Sequence, residues 1–126
     1  LAAPATVVYD GPGDDLWPTA TPDGRWLAWA RCPAGETAPC GLAVMGPSGG
    51  ATALSSPDGP CDDRRPALWL APDGTPALAA VRRPVAADGD LGAAQIVTLT
   101  RFGRATWSLA AETAPSAQPF CCVAAP

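Results

Sequence analysis

Thr21-Pro22-Asp23-Gly24-Arg25-Trp26-Leu27-Ala28-Trp29-Ala30 joins a tight turn to an apolar strand. Asp tolerates the turn corner, and Gly24 supplies the positive φ that a side chain would resist. The apolar run shows no polar alternation, which is typical of a strand covered on both faces. The turn recurs at Pro72-Asp73-Gly74, before the apolar run 76–81, and begins again at Ala125-Pro126. The pattern therefore predicts a repeated β-structure.

A second frame, Asp-Gly-Pro-x-Asp-Asp-x-x-Pro, precedes the turn at residues 10–18 and 58–66. A weaker third copy at 112–119 keeps an acid at its start and a proline at its end, but it lacks the Asp pair. The Pro-Asp-Gly turns recur after 50 residues, and the third turn begins after a further 54. A period of this size is typical of propeller blades or solenoid units.

Each full repeat predicts four short strands joined by turns. The 13 Gly and 16 Pro of this 126-residue chain fall largely between the apolar runs, and no segment has a convincing helical period. The predicted strands are 17–21, 25–31, 42–45 and 51–54 in the first repeat, and 67–70, 76–82, 94–100 and 104–109 in the second.

We therefore predict an all-β chain, namely a β-propeller segment of two four-stranded antiparallel blades. The blades cover residues 10–57 and 58–111. Residues 1–9 would supply an outer strand of a preceding blade, and residues 112–126 would start a further one. A β-sandwich is the main alternative, because it also uses short strands and many turns, but it does not require repeated loops.

The first repeat resembles that of TolB-type propellers. In that family an aromatic strand and Ser-Pro-Asp-Gly precede a short hydrophobic strand, a further strand and a Gly-rich turn. The matching positions are Pro18, Pro22, Asp23, Gly24, Leu27, Ala28, Trp29, Val44, Met45 and Gly49, then Pro66, Trp69, Pro72, Asp73 and Gly74 in the second repeat. The resemblance implies a closed ring, which two repeats do not complete. We therefore expect further blades of a longer chain, or other protein chains, as partners.

Composition disfavours several classes of function. The net charge of −4 and pI near 4.4 argue against a nucleic-acid binder. The chain has no His, which is the usual general base and metal ligand, and no apolar stretch long enough to span a membrane. Gly46-Pro47-Ser48-Gly49-Gly50 matches a nucleophile elbow, but that motif needs a helix and a His, so a hairpin turn is favoured. We predict no catalytic residue, cofactor or metal.

Pairs of like charge mark the acidic frames. Asp14-Asp15 and Asp62-Asp63 are interpreted as turns that satisfy backbone N–H groups, with calcium binding as the alternative. Asp88-Gly89-Asp90 is expected at an exposed hairpin tip. The arginine pairs at 64–65 and 82–83 are expected on the surface or paired with nearby Asp, and a partner-binding role is the alternative.

Cysteine positions predict the redox environment. Cys32 and Cys40 lie at the two ends of one predicted hairpin loop, so we predict a disulfide between them, with buried free thiols as the alternative. Cys121 and Cys122 would point to opposite faces of a strand, so at most one is expected to meet Cys61. A disulfide indicates an oxidising compartment, either the periplasm or the cell exterior.

Together these features favour a non-catalytic protein-binding or assembly module of an exported bacterial protein. Its structural turns would be Pro22-Asp23-Gly24 and Pro72-Asp73-Gly74. Two alternatives stay open: a propeller domain that flanks the catalytic domain of a serine peptidase or other hydrolase, and an accessory subunit of a larger membrane-associated complex.

Overall fold

Two four-stranded antiparallel sheets make up the chain in the computed structural model, which describes residues 9–11, 13–102 and 106–112. In each sheet the strands lie in sequence order. The first sheet contains β1 (Asp14–Ala20), β2 (Leu27–Cys32), β3 (Gly41–Met45) and β4 (Ala51–Ala53); the second contains β5 (Cys61–Leu70), β6 (Pro76–Pro84), β7 (Gln95–Phe102) and β8 (Thr106–Glu112). The predicted all-β class is confirmed, while these residues form no closed ring. No helix in them could span a membrane.

The first strand of each sheet begins earlier than predicted. β5 starts at Cys61 rather than at residue 67, and β1 starts at Asp14 rather than at residue 17. The Asp pairs therefore lie inside strands and not in turns. In β5 the ladder explains why, because Asp62 and Asp63 lie opposite Arg83 and Arg82, so the acids face bases across the sheet. The predicted strands within 1–8 and 113–126, and Arg104, lie outside the described residues.

The two sheets share one hydrophobic core. β5 packs across β1, β2 and β3, and so the second sheet covers one face of the first. Alanines on β2 let the two backbones approach closely. The buried members of the core are Ala28, Ala30, Cys32, Cys40, Leu42, Val44 and Leu54 from the first sheet and its connections, and Leu68, Leu78, Ala80, Val97, Leu99 and Trp107 from the second.

Aromatic residues also join the two sheets, next to the first Pro-Asp-Gly turn. Trp26 follows the first Pro-Asp-Gly turn and meets Trp107 of β8 edge to face, with ring centroids 6.3 Å apart. The Arg101 guanidinium lies 4.9 Å from the centre of the Trp26 ring. Gly46 lies directly against this ring, and a Cβ there would collide with it. This packing favours glycine at the start of the β3–β4 turn.

The Pro-Asp-Gly turns connect the first two strands of each sheet. Gly24 N–H donates to the Thr21 carbonyl at 2.9 Å, and Gly74 N–H donates to the Ala71 carbonyl at 2.8 Å. Both glycines have positive φ, 70° and 85°, as the sequence predicts. A further turn of this kind, Ser56-Pro57-Asp58-Gly59, leads from the first sheet to the second; Gly59 N–H donates to the Ser56 carbonyl at 3.1 Å. The sequence reasoning assigned Asp58 and Gly59 to the acidic frame and missed this turn.

Candidate binding cleft between the sheets

A buried ion pair anchors the start of the second sheet. Arg82 donates to both carboxylate oxygens of Asp63, from Nε at 2.7 Å and from Nη2 at 2.9 Å. The two side chains are 1% and 0% exposed. Of the two locations expected for these arginines, Arg82 therefore takes the paired one and not the surface. A buried ion pair of this kind fixes geometry because either charge alone would be strongly disfavoured there.

The neighbouring Asp62 ties the second sheet to the first. Its carboxylate accepts from Arg64 Nε at 2.8 and 2.9 Å and from the Cys40 N–H at 2.8 Å. Arg64 Nη2 also donates to the Ala38 carbonyl at 3.0 Å. Along the backbone, Asp63 N–H donates to the Cys40 carbonyl at 2.9 Å. The Asp pair thus holds the end of the β2–β3 loop, which a Cys32–Cys40 disulfide closes.

The residues at the equivalent positions of the first sheet make different side-chain contacts. Asp15 and Arg31 face each other as Asp63 and Arg82 do. Asp15 is exposed and accepts from the Trp29 indole N–H at 3.1 Å. Arg31 Nε is buried and has no hydrogen-bond partner among the described residues. Tyr9 packs on Trp29 with ring centroids 4.9 Å apart, beside a small cavity of about 140 Å³. The repeated frame therefore keeps its register but not its ion pair.

Two residues with strained backbone meet at the mouth between the sheets. Trp17 and Arg65 have φ values of 52° and 51°, and each precedes a proline at the irregularity in β1 or β5. A positive φ is unfavourable for a residue with a Cβ, and such strain often marks functional sites. The Arg65 guanidinium carbon lies 5.1 Å from the centre of the Trp17 ring. The two bulges place these side chains on one another.

A cleft of about 520 Å³ opens at this point. We call it the arginine cleft; it is lined by Trp17, Glu36, Thr37, Asp62, Arg64, Arg65, Val81, Arg83 and Leu91. Its volume is within the range of small-ligand sites. Arg65 and Arg83 are exposed and make no ion pair among the described residues. Both arginine pairs are visible in the sequence, but their spacing does not predict that Arg64, Arg65 and Arg83 line one cleft with Trp17.

The Pro-Asp-Gly turns are held by their own side chains. The Thr21 hydroxyl donates to Asp23 Oδ1 at 2.6 Å and accepts from Trp26 N–H at 3.2 Å. The hydrogen bonds that Asp23 accepts, first from the Thr21 hydroxyl and then from the Arg25 N–H, lower the pKa of Asp23 below its ordinary value of 3.8. The Thr75 N–H, and then its side chain, lower the pKa of Asp73 likewise. All six turn positions predicted from the sequence lie in hairpin turns.

The remaining candidates have structural places. Ser48 is exposed in a hairpin turn between β3 and β4, with no helix after it. Gly89 N–H donates to the Ala86 carbonyl at 2.8 Å, so residues 88–90 form the expected hairpin tip. No group of three potential metal ligands exists in the part of the chain that the structure describes. Cys61 is disulfide-bonded, and its partner, like Cys121 and Cys122, lies outside the described residues.

No family model, curated protein or solved structure matches the chain.

Proposed function

We propose that this chain is a non-catalytic protein-binding or assembly module, built from TolB-like repeats whose sheets stack face to face as propeller blades do. The observation that carries the proposal is a correspondence between the two sheets. The face of the first sheet that the second sheet covers has an equivalent on the second sheet, and the described residues of that equivalent face are only partly buried.

The strand registers define this correspondence. Asp15–Arg31 in the first sheet matches Asp63–Arg82 in the second, which aligns β2 with β6 and β3 with β7. Ala28, Ala30 and Val44 are buried in the shared core. The residues at the equivalent positions, Ala79, Val81 and Thr98, are half-buried.

A large aromatic residue lies on the same face. Trp69 lies opposite Ala77 in the ladder and is 40% exposed. We call Trp69, Ala79, Val81 and Thr98 the open face. Exposed apolar patches of this kind mark protein-binding surfaces, and stacked repeats gain most of their stability by burying them. We propose that another sheet of the same construction covers the open face.

The disulfides support an exported protein. Cys32 and Cys40 are bonded to each other, and Cys61 is also disulfide-bonded. Structural disulfides persist in oxidising compartments such as the periplasm and the cell exterior. We therefore place the protein outside the cytoplasm in this proposal.

Light scattering on residues 1–126 produced by oxidative export tests the assembly role. We expect a mass above that of one chain, because the open face is otherwise left in water. Trp69→Lys should shift the mass toward one chain, whereas Ser48→Lys, a change in an exposed turn, should not. A wild-type monomer with a cooperative melt would contradict the proposal and favour a self-contained sandwich.

A further inference from the structure

We propose that the arginine cleft binds a carboxylate group presented by a peptide. The cleft borders the open face, since Val81 belongs to both, and it is distinguished from that face by its charge. The chain carries 12 acidic residues against 8 arginines, yet three of those arginines line this one cleft. Such a concentration of guanidinium groups in an acidic protein indicates a local preference for anions.

The cleft's own acids do not neutralise it. The carboxylate of Asp62 is buried and is already occupied by Arg64 and the Cys40 N–H. Glu36 is exposed on the β2–β3 loop and forms no ion pair among the described residues. Arg65 and Arg83 are therefore the two guanidinium groups that can reach an incoming anion.

The neighbouring groups specify what carries the anion. A guanidinium fork matches the two oxygens of a carboxylate, and stacking on a ring holds the fork in place. Arg65 is held in this way by Trp17 at 5.1 Å. Val81 is half-buried, and Leu91 is 40% exposed, so the wall beside the charges is apolar. A carboxylate on a short peptide with an apolar neighbour fits this combination.

The strained bulges support a binding role rather than a packing one. Trp17 and Arg65 both adopt positive φ, and both contribute side chains to the same cleft from different sheets. A positive φ at these two residues is unfavourable for folding, so a function for their side chains would explain why the strain is present. The loop that carries Glu36 is closed by the Cys32–Cys40 disulfide, which keeps the opposite wall in position.

Calorimetry of the full chain with three short peptides tests the proposal. Two peptides have both ends blocked, and the third has a free terminal carboxylate. The first contains one Glu next to a Leu, the second replaces Glu by Gln, and the third has Gln with a free terminal carboxylate. We expect the Glu peptide to bind with a Kd below about 1 mM, and the blocked Gln peptide to bind with a Kd at least about tenfold higher. Binding of the third peptide would identify the chain terminus as a source of the same group.

Variants separate the cleft from general charge effects. Arg65→Ala together with Arg83→Ala should weaken binding of the Glu peptide by at least about tenfold, because charged hydrogen bonds are lost. Arg25→Ala, at an exposed turn outside the cleft, should leave binding unchanged. Glu36→Gln should strengthen it by removing a like charge. Arg65 and Arg83 are both exposed, and near-ultraviolet circular dichroism would verify the fold.

Three results would overturn the proposal. The first is no binding of either carboxylate peptide at about 5 mM. The second is equal binding of the blocked Gln peptide. The third is inorganic phosphate binding as tightly as the Glu peptide, which would reduce the cleft to an unspecific anion site.

Discussion

At the scale of single residues, the buried Asp63–Arg82 pair and Arg31 form a natural comparison. Arg31 and Arg82 occupy equivalent positions in two sheets, but among the described residues only Arg82 pairs with a buried carboxylate, and Arg31 Nε has no hydrogen-bond partner. The sequence predicts the repeat and therefore the register. It could not predict the difference, because the fate of Arg31 depends on what surrounds Asp15 in three dimensions. A contact with the Trp29 indole is invisible in the sequence spacing.

The first prediction concerns this pair. Arg82→Met should destabilise the fold by about 3–5 kcal/mol, because it leaves the Asp63 carboxylate buried without its partner. Arg31→Met, the matched change in the first sheet, should cost about 1 kcal/mol or less. Urea unfolding followed by circular dichroism measures both values. Equal losses at the two positions would contradict the assignment of the ion pair.

The second prediction concerns pH. The pKa of Asp23 is lowered in the fold, so its ionised form stabilises the protein above its ordinary pKa of 3.8. That contribution is lost as the pH falls below 3.8 and through the lowered value. The stability difference between wild type and Asp23→Asn should therefore be constant near neutral pH and shrink as the pH falls from about 4 to about 2. A difference that stays constant over that range would refute the coupling; Asp73→Asn provides the matched test at the second turn.

At the scale of secondary-structure elements, the sequence predicts each of the eight described strands in kind but not the start of β1 and β5. Proline and glycine mark the turns unambiguously, since their backbone preferences are local. Consecutive aspartates are poor strand formers on their own, and in β5 they lie opposite the ladder partners Arg83 and Arg82, which the local sequence does not reveal. The bulges before Pro18 and Pro66 were not predicted either, because they also depend on strand pairing. The proline that ends each acidic frame was the one sequence signal for these bulges.

The third prediction addresses the turn between β1 and β2. Gly24→Ala should destabilise the protein by about 1–2 kcal/mol, since φ is 70° there. Gly24→Asn should cost less, because Asn tolerates that region better. Apart from the two neighbouring residues, no atom lies within 4 Å of a Cβ added at Gly24, so the destabilisation would come from the backbone alone. Thermal unfolding of both variants measures it, and identical losses for Ala and Asn would argue against this explanation.

The fourth prediction concerns the β2–β3 loop. Replacing Cys32 and Cys40 together by Ser should lower the free energy of unfolding by about 2–3 kcal/mol on the loop-entropy view. It should also weaken carboxylate binding, since the loop forms one wall of the arginine cleft. Peptide mapping without reductant should find the two cysteines linked in the wild type. An unchanged peptide affinity in the double variant would show that the loop keeps its position without the bond.

At the scale of the whole molecule, the repeated landmarks predicted two similar sheets, and the structure contains them. The sequence could not show how the sheets meet, because the core mixes residues that are far apart in the chain. Leu68 N–H, for example, donates to Thr19 Oγ1 at 3.2 Å across the junction. The arginine cleft does not follow from one repeat alone, because residues of both sheets line it. The open face lies on the second sheet and is recognised by comparison with the covered face of the first.

The way in which β5 lies across the first sheet has a consequence for assembly. A sheet in such a stack would contact the preceding sheet through one face and the following sheet through the other. The contact is therefore heterologous, that is, head to tail. A contact of this type does not terminate itself as a twofold dimer does. Copies joined through it either curve round until the last meets the first, or continue without limit as a fibre. The rotation from one sheet to the next therefore decides between a finite particle and a polymer.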